Sequence, residues 1–464
     1  MRVTVGSTVT VRDPSPEIKS WCKANLIVAN PEYGKKVRMN LWLGNTPRDL
    51  YLYEDHGNEV VMPFGVLRSI LPYIGDSPVD VTFPPERVFN YRGEVPLFDY
   101  QEKAVDAVLE EYYGILQSPA GSGKTQMGIA IITKLRKRAL WLTHTKDLLE
   151  QSKKRAEKYI DPSLLGTITD GKVNIGKWIT FATVQTMSDL DLARYKDLWD
   201  VIIVDECHRV AGSPTAVTQF SKVLNSLAAR NKFGLSATVH RADGMIKATY
   251  AILGEVIYDV PEKEVADKIM RVGIEVIGTP VKLAREFLNT DGTLNYTRMV
   301  NYLCENEERN DLIVECIVEN QGMPSLILSD RLNHLAALID LLPPAMRRDA
   351  VMISGKMTSK AGKAAREAAL EDMRTGRKKY LFATYSLAKE GLDIPRLERL
   401  YLTTPQKDYA VIAQSVGRIA RTFPGKQDPI CYDFVDDIHY LYKAYKKRCT
   451  TYRKIKCYFV GGAR

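Results

Sequence analysis

Cysteine, histidine and long apolar runs are what this chain has little of. Seven cysteines (Cys22, Cys207, Cys304, Cys316, Cys431, Cys449 and Cys457) are scattered over 464 residues without a CxxC pair, beside only six histidines. An odd and dispersed set does not build a disulfide framework, and zinc needs paired ligands at short spacing. No apolar run approaches the ~18–20 residues that cross a bilayer. The N-terminus "MRVTVGSTVTVRD" alternates apolar and polar residues and has no signal-peptide h-region. These absences predict a chain that stays in a cytoplasm. Acid, too, is missing from one place. From Tyr440 to Arg464 there are eight Lys/Arg and no Asp or Glu, whereas residues 1–90 hold ten of each sign. The net charge of +9 therefore sits almost wholly in the tail, where Tyr and Phe interleave with the bases. Such a segment suits phosphates and stacked bases, or else a solvated terminal helix whose tyrosines pack on the body.

What is present is a soluble composition, 45% apolar and 26% charged, in a length that suggests about three domains. Residues 1–90 read as a β-rich accessory domain: "RVTVGSTVTV", "ANLIVA", "VRMNLWLG" and "DLYLYEDHGNEVVM" alternate, with a hairpin turn at His56-Gly57-Asn58. From residue 91 to 260 the texture changes. "YGILQSP", "ALWLTHT", "WITFATVQ", "DVIIVDE" and "KFGLSAT" are short apolar strands separated by helical periodicity, the pattern of a parallel sheet covered on both faces. Residues 261–320 read as a connector containing the strand-like "GIEVIGTPV" and one long helix through "TRMVNYLCENEERNDLIVECIVEN". A second α/β series, "SLILSD", "AVMISG", "KYLFATYS", "RLYLTTP" and "ICYDFVD", fills residues 321–440, and 441–464 is the basic aromatic tail. The expected fold class is α/β, with two parallel-sheet lobes and a small β-rich N-terminal domain.

Two motifs carry chemistry. "LQSPAGSGKTQMG" follows a strand and opens a helix, the context a phosphate-binding loop requires. Gly121 and Gly123, flanking Ser122, let backbone N–H groups approach phosphate oxygens at a helix N-terminus. Lys124 is placed for the β- and γ-phosphates and the Thr125 hydroxyl for Mg²⁺. Ser118 stands where the general pattern has Gly. The second motif is "VIIVDECHRV", a buried strand ending in acids about 80 residues later. Beside the loop, Asp205 is placed to hold Mg²⁺ through water, and Glu206 to orient and deprotonate an attacking water. Cys207 and His208 are then links rather than metal ligands.

The ordered set of motifs between about Phe98 and Asp436 resembles the superfamily 2 helicases and translocases. "FDYQ" is similar to the adenine-reading segment, with Gln101 at its glutamine. "SPAGSGKT" is similar to the first helicase motif, "VDECH" to the DExH motif and "GLSATVHRADG" to the SAT coupling motif. "LTHTKDLLEQ" and "TFATVQTM" resemble the motifs that touch the nucleic-acid backbone. "LILSD", "MISG", "FATYSLAKEGLDIP" and "QSVGRIAR" fit those of the second lobe. The resemblance implies two RecA-like lobes, ATP and Mg²⁺, arginine fingers at Arg418 and Arg421, and a phosphate-sensing Gln414. It implies nucleic-acid contacts at Thr143, His144, Thr183, Gln185, Arg241, Ser329, Ser354 and Thr384. Arg241-Ala242-Asp243 after SAT is similar to XPB-like helicases and to phage branch-migration helicases of the UvsW type, although the XPB-like form has Arg-Glu-Asp. The expected function is an ATP-dependent DNA helicase or translocase on branched or forked DNA, working beside recombination or replication proteins, in a host cytoplasm if phage-encoded. An RNA helicase, an ATP-gated double-strand clamp and the motor of a restriction system are the rivals.

Overall fold

In a computed structural model the chain forms two compact units, Met1–Val265 and Ala266–Arg464, each described by itself below. The structure describes residues 1–119, 121–237, 245–265, 269–282, 284–290, 292–355, 357, 359–389 and 392–461. Arg241, expected to contact nucleic acid, lies outside them. No helix among the described residues is long and apolar enough to cross a membrane.

The first unit begins with a five-stranded sheet built from Arg2–Val5, Thr8–Arg12, Glu54–Asp55, Glu59–Pro63 and Val79–Val81. Alternating valines put Val3, Val5, Val9 and Val11 into one core. The expected strand at "VRMNLWLG" is absent. Asn30 accepts a hydrogen bond from Glu32 N and Pro31 occupies the first helical turn, so a helix, Pro31–Arg38, runs into its first two residues and turns and coil follow. Here a cap and an N1 proline override alternation.

The larger sheet of this unit has eight strands: β1 (Tyr113–Gln117), β2 (Ala139–Thr143), β3 (Leu165–Thr169), β4 (Lys172–Asn174), β5 (Ile179–Thr183), β6 (Val201–Asp205), β7 (Asn231–Ser236) and β8 (Val256–Asp259). Their order is β4-β3-β5-β2-β6-β7-β1-β8, and every pairing is parallel except β3–β4. The five strands expected from apolar runs are all here. Helix α1 (Asp99–Leu109) precedes β1, α2 (Lys124–Leu135) follows it and α3 (Lys146–Ala156) follows β2. Gly128 lets α2 lie close on the sheet: a Cβ there would come within 2.6 Å of Leu235 Cδ1 and 2.7 Å of the Trp141 ring.

The second unit holds a seven-stranded, wholly parallel sheet: β9 (Gly273–Lys282), β10 (Ser325–Ser329), β11 (Ala350–Ile353), β12 (Tyr380–Thr384), β13 (Arg399–Leu402), β14 (Ile430–Asp437) and β15 (Tyr458–Phe459). The order is β11-β12-β10-β13-β14-β9-β15. Thus the "GIEVIGTPV" strand pairs with β14, and the tail contributes both a helix and the edge strand β15 to this unit. The single long helix expected across residues 297–320 is two, Tyr296–Glu305 and Glu307–Glu319. Asn306 breaks it: its backbone is extended and its side chain accepts from Arg309 N, capping the second helix.

One buried amine ties the five-stranded and the eight-stranded sheets of the first unit together. The Lys232 amine at the start of β7 donates to the carbonyls of Ser7 (3.1 Å) and Leu224 (2.7 Å) and lies over the Phe64 ring. Burial lowers its pKa to about 7. Between about pH 7 and 10 the unfolded chain therefore binds a proton that the folded chain has released, so stability rises with pH in that window. Denaturant titrations from pH 7 to 9.5 should show that rise in the wild type and a flatter profile for Lys232→Met. Equal slopes would show that the amine is charged in the folded protein.

Candidate active site and nucleic-acid edge

Parallel strands bring the motifs of the first unit to one place because all of them follow strand C-termini. Ser118 follows β1, Thr143 ends β2, Thr183 ends β5, Asp205 ends β6 and Ser236 ends β7. Crevices at that edge are where open α/β sheets bind ligands.

The loop between β1 and α2 is shaped by two residues in the left-handed region, Gly121 (φ +86°) and Gly123 (φ +83°). A Cβ on Gly123 would lie 2.4 Å from Gln101 Nε2, so glycine is required for space as well as conformation. Gln101 is fully buried; its Nε2 donates to Ser122 O at 2.7 Å and its Oε1 accepts from Phe98 N. Tyr100, which the sequence reading did not single out, donates its hydroxyl to the same Ser122 carbonyl at 2.9 Å. Ser118, in place of the usual Gly, donates from Oγ to Ser122 Oγ at 2.5 Å and cross-ties the loop. Lys124 and Thr125 open α2, with backbone N–H groups unpaired within the first helical turn, as at every helix start.

Asp205 is buried at the end of β6, and its pKa is raised to about 7. Burial is the largest cause and the Glu206 carboxylate the next, while Lys124 and a hydrogen bond from Ser152 pull the other way. Ser152 on α3 donates at 3.2 Å to Asp205 Oδ2; no motif signalled it. Glu206 holds a positive φ of +49°, unusual for a residue with a Cβ. The chain there turns into a short 3₁₀ segment, and Glu206 N donates to Asp205 Oδ1. His208 Nδ1 lies 3.2 Å from Glu206 Oε2 and 3.1 Å from Ser236 Oγ, linking the acid pair to the SAT serine. Cys207 is buried in the core beneath, against Gly234, with its thiol pKa pushed up mainly by burial.

A buried acid next to a second acid and a lysine is a donor set that fits a divalent cation, which would favour the ionised form of Asp205. When bound, Mg²⁺ neutralises charge on the β- and γ-phosphates.

The expected backbone-contact residues lie on the same edges, but several hydroxyls are used inside the fold. Thr143 is fully buried, donating to Thr145 O at 3.0 Å and Ala182 O at 3.4 Å. Thr183 donates to Thr186 Oγ1. Gln185 donates to His144 O at 3.0 Å, and burial lowers the His144 pKa, with Arg209 and His208 adding to the shift. In the second unit Ser329 is fully buried, 3.0 Å from His334 Nδ1 and accepting from Arg331 N. Thr384 pairs with Ser386 at 2.9 Å, and Ser354 directly follows β11.

On helix α4 (Tyr409–Ile419) Gln414 has a buried Oε1 without a hydrogen-bond partner in this unit. Arg418 donates to the carbonyls of Ala388 (2.9 Å) and Leu392 (3.2 Å). Arg421, just past the helix, is ion-paired with Asp393. Both arginines thus brace "FATYSLAKEGLDIP" within their own unit.

Comparison with known proteins matches residues 94–241 to the family "Type III restriction enzyme, res subunit" and residues 308–423 to "Helicase conserved C-terminal domain". A chain of Acanthamoeba polyphaga mimivirus designated an ATP-dependent RNA helicase is 26% identical over 86% of this chain and 75% of its own. The DNA 3'-5' translocase XPB2 of Sulfurisphaera tokodaii is 23% identical over 71% and 80%. Among solved structures, S. cerevisiae Dbp5 bound to RNA and ADP BeF3 aligns with a TM-score of 0.55, 17% identity, over 86% of this chain and 94% of its own. T4 UvsW aligns over 100% and 99% at 18% identity with a TM-score of 0.42.

The loop geometry makes one substitution diagnostic. Gly123→Val puts a β-branched residue at positive φ and displaces Gln101, so affinity for a fluorescent ATP analogue should fall at least about tenfold, ~1.4 kcal/mol. Gly57→Ala, at φ +85° in open space, should cost stability alone and leave that affinity unchanged. Equal binding by both variants would remove Gly123 from the site.

Proposed function

Because the chain belongs to the superfamily 2 helicases, ATP-hydrolysing enzymes that unwind or translocate on nucleic acid, we propose that it is a DNA motor acting on branched or forked DNA. The observation that carries the ATP-dependent part is the loop and acid pair at one sheet edge, Lys124 beside a buried Asp205–Glu206 pair. In this reading Lys124 and the amides of residues 121–125 bind the phosphates, and Thr125 and Asp205 hold Mg²⁺. Glu206 takes the proton of the attacking water, and His208 carries the state of that acid to Ser236. Arg418 and Arg421 stabilise charge on the transferring phosphoryl group, with Gln414 near the same phosphates.

Contacts to the strand come from the edges that end in Thr143, His144, Thr183, Gln185, Ser329, Ser354 and Thr384. With so many of these hydroxyls committed internally, the backbone N–H groups around them are the natural donors to phosphate, and such contacts read no base. A motor of this kind responds to the shape of its substrate.

The choice of DNA is supported by the XPB2 relative, whose name states a DNA translocase. RNA is the second reading, favoured by the mimivirus relative.

Steady-state ATPase should be measured alone and with single-stranded DNA, blunt duplex, a four-way junction and single-stranded RNA. The proposal expects the junction to stimulate most, and Lys124→Ala to abolish the signal. Glu206→Gln should bind ATP without turning it over. Arg421→Ala should bind ATP while turnover drops about 10³-fold or more. Stimulation by RNA alone would transfer the motor to RNA, and normal turnover in Arg421→Ala would remove the finger assignment. Strand displacement separates an unwinding enzyme from a clamp, which binds DNA without releasing product.

A further inference from the structure

In the second unit the edge that carries Ser354, Thr384 and Ser329 does not stop at β10. The next strands in the sheet are β13 and β14. Past the end of β13 come Pro405 and Lys407, and past the end of β14 comes helix α5 (His439–Lys454). Three tyrosines stand open to solvent on this continuation: Tyr296 (43% exposed), Tyr440 (42%) and Tyr442 (48%). Tyr296 and Tyr440 meet edge to face with centroids 6.2 Å apart, and the Tyr296 hydroxyl donates to Pro405 O. Cations lie over the same rings. Lys407 Nζ is 5.8 Å from the Tyr440 centroid and Lys446 Nζ is 4.9 Å from that of Tyr442. Lys443 is exposed between them.

This surface is rigidly mounted. On the opposite face of α5, buried Arg448 makes an ion pair with Asp433 at 2.8 Å and donates to Gln406 O at 2.7 Å. Tyr452 donates to Asp433 Oδ2 at 2.8 Å. The helix is therefore divided between a buried anchoring face and an exposed face of aromatics and bases. No carboxylate occurs from Ile438 onward. Exposed rings and ammonium groups alternate on this face, the pairing of π-faces and positive charge that suits unpaired bases and their phosphates.

We propose that this face is a second contact for single-stranded nucleic acid, continuing the edge along which the strand is gripped. Unpaired bases stack on Tyr440 and Tyr442, and Lys443 and Lys446 meet the phosphates. Stacking is tolerant of base identity and the lysines read only charge, so the contact adds grip without sequence preference. It rests on the reading of the chain as a nucleic-acid motor, and deepens it by naming an unpaired strand as the form held here.

The test is equilibrium binding of labelled oligo(dT), oligo(rU) and a blunt duplex to the full chain, with ATPase followed in parallel. In Tyr440→Ala/Tyr442→Ala, Kd for single strands should rise at least about tenfold, with duplex binding changed far less. Tyr442→Phe should bind like wild type because the ring is kept. Lys443→Gln/Lys446→Gln should lower the slope of log Kd against log salt by about 1.4, ~0.7 per phosphate on a single strand. ATPase without nucleic acid should be unchanged in all of them, which also shows that they fold. If the wild type binds and is stimulated but the tyrosine variant binds equally well, the platform is wrong and the motor stands. Equal losses on single strand and duplex overturn the stacking role. If the wild type binds none of the three polymers, the motor reading falls first and the platform with it.

Discussion

The arrangement on which the first unit's site depends is a carboxyl buried at the end of a strand with a second carboxyl beside it. Left alone, Asp205 and Glu206 repel each other, and burial raises the cost of ionising Asp205 further. The fold tolerates the pair because its neighbours are arranged around it: Lys124 from α2, a hydroxyl from Ser152 on α3, and His208 reaching from Glu206 to Ser236. None of these removes the strain. A divalent cation would offset it by favouring the ionised carboxylates. His208 Nδ1, 3.2 Å from Glu206 and 3.1 Å from Ser236, joins the acid pair to β7.

Parallel topology turns this local chemistry into an architecture. A parallel sheet covered on both faces is mostly apolar along its strands, so polar residues gather where strands end, and one within a strand, such as Asp433 in β14, needs buried partners. In the first unit every functional motif described falls on one such edge; in the second, Ser354, Thr384, Ser329 and α5 fall on another. The two sheets use their edges differently. The first sinks charge into its edge, at Asp205. The second caps its edge with internal hydrogen bonds, such as those of Ser329 with His334 and Arg331, and puts its charge outside on a helix.

Legibility in the sequence followed the same division. Buried parallel strands announce themselves as apolar runs, which is why "VIIVDE", "ALWLT" and "LILSD" were found without ambiguity. The phosphate loop is short, contiguous and conformationally demanding, so its residues could be read directly. Groups that reach the site across the fold could not. Ser152 lies on a helix far from the acid it supports, and Tyr100 differs from any other helix tyrosine only by what its hydroxyl meets. Breaks hide where one side chain decides the outcome: Asn306 divides an otherwise continuous helical pattern, and Asn30 with Pro31 starts a helix that runs into a stretch alternating like a strand. Periodicity records average burial; a cap is a single hydrogen bond and leaves periodicity intact.

The hydroxyls expected to grip a nucleic-acid strand carry the last consequence. Thr143, Thr183 and Ser329 end buried strands, and a hydroxyl at such a position must find a partner inside the fold. By satisfying local carbonyls, side chains or amides, these groups fix the turn that follows each strand. Each such Ser or Thr is thus the support of the turn that follows its strand. Substituting it would leave a buried partner unsatisfied and loosen that turn.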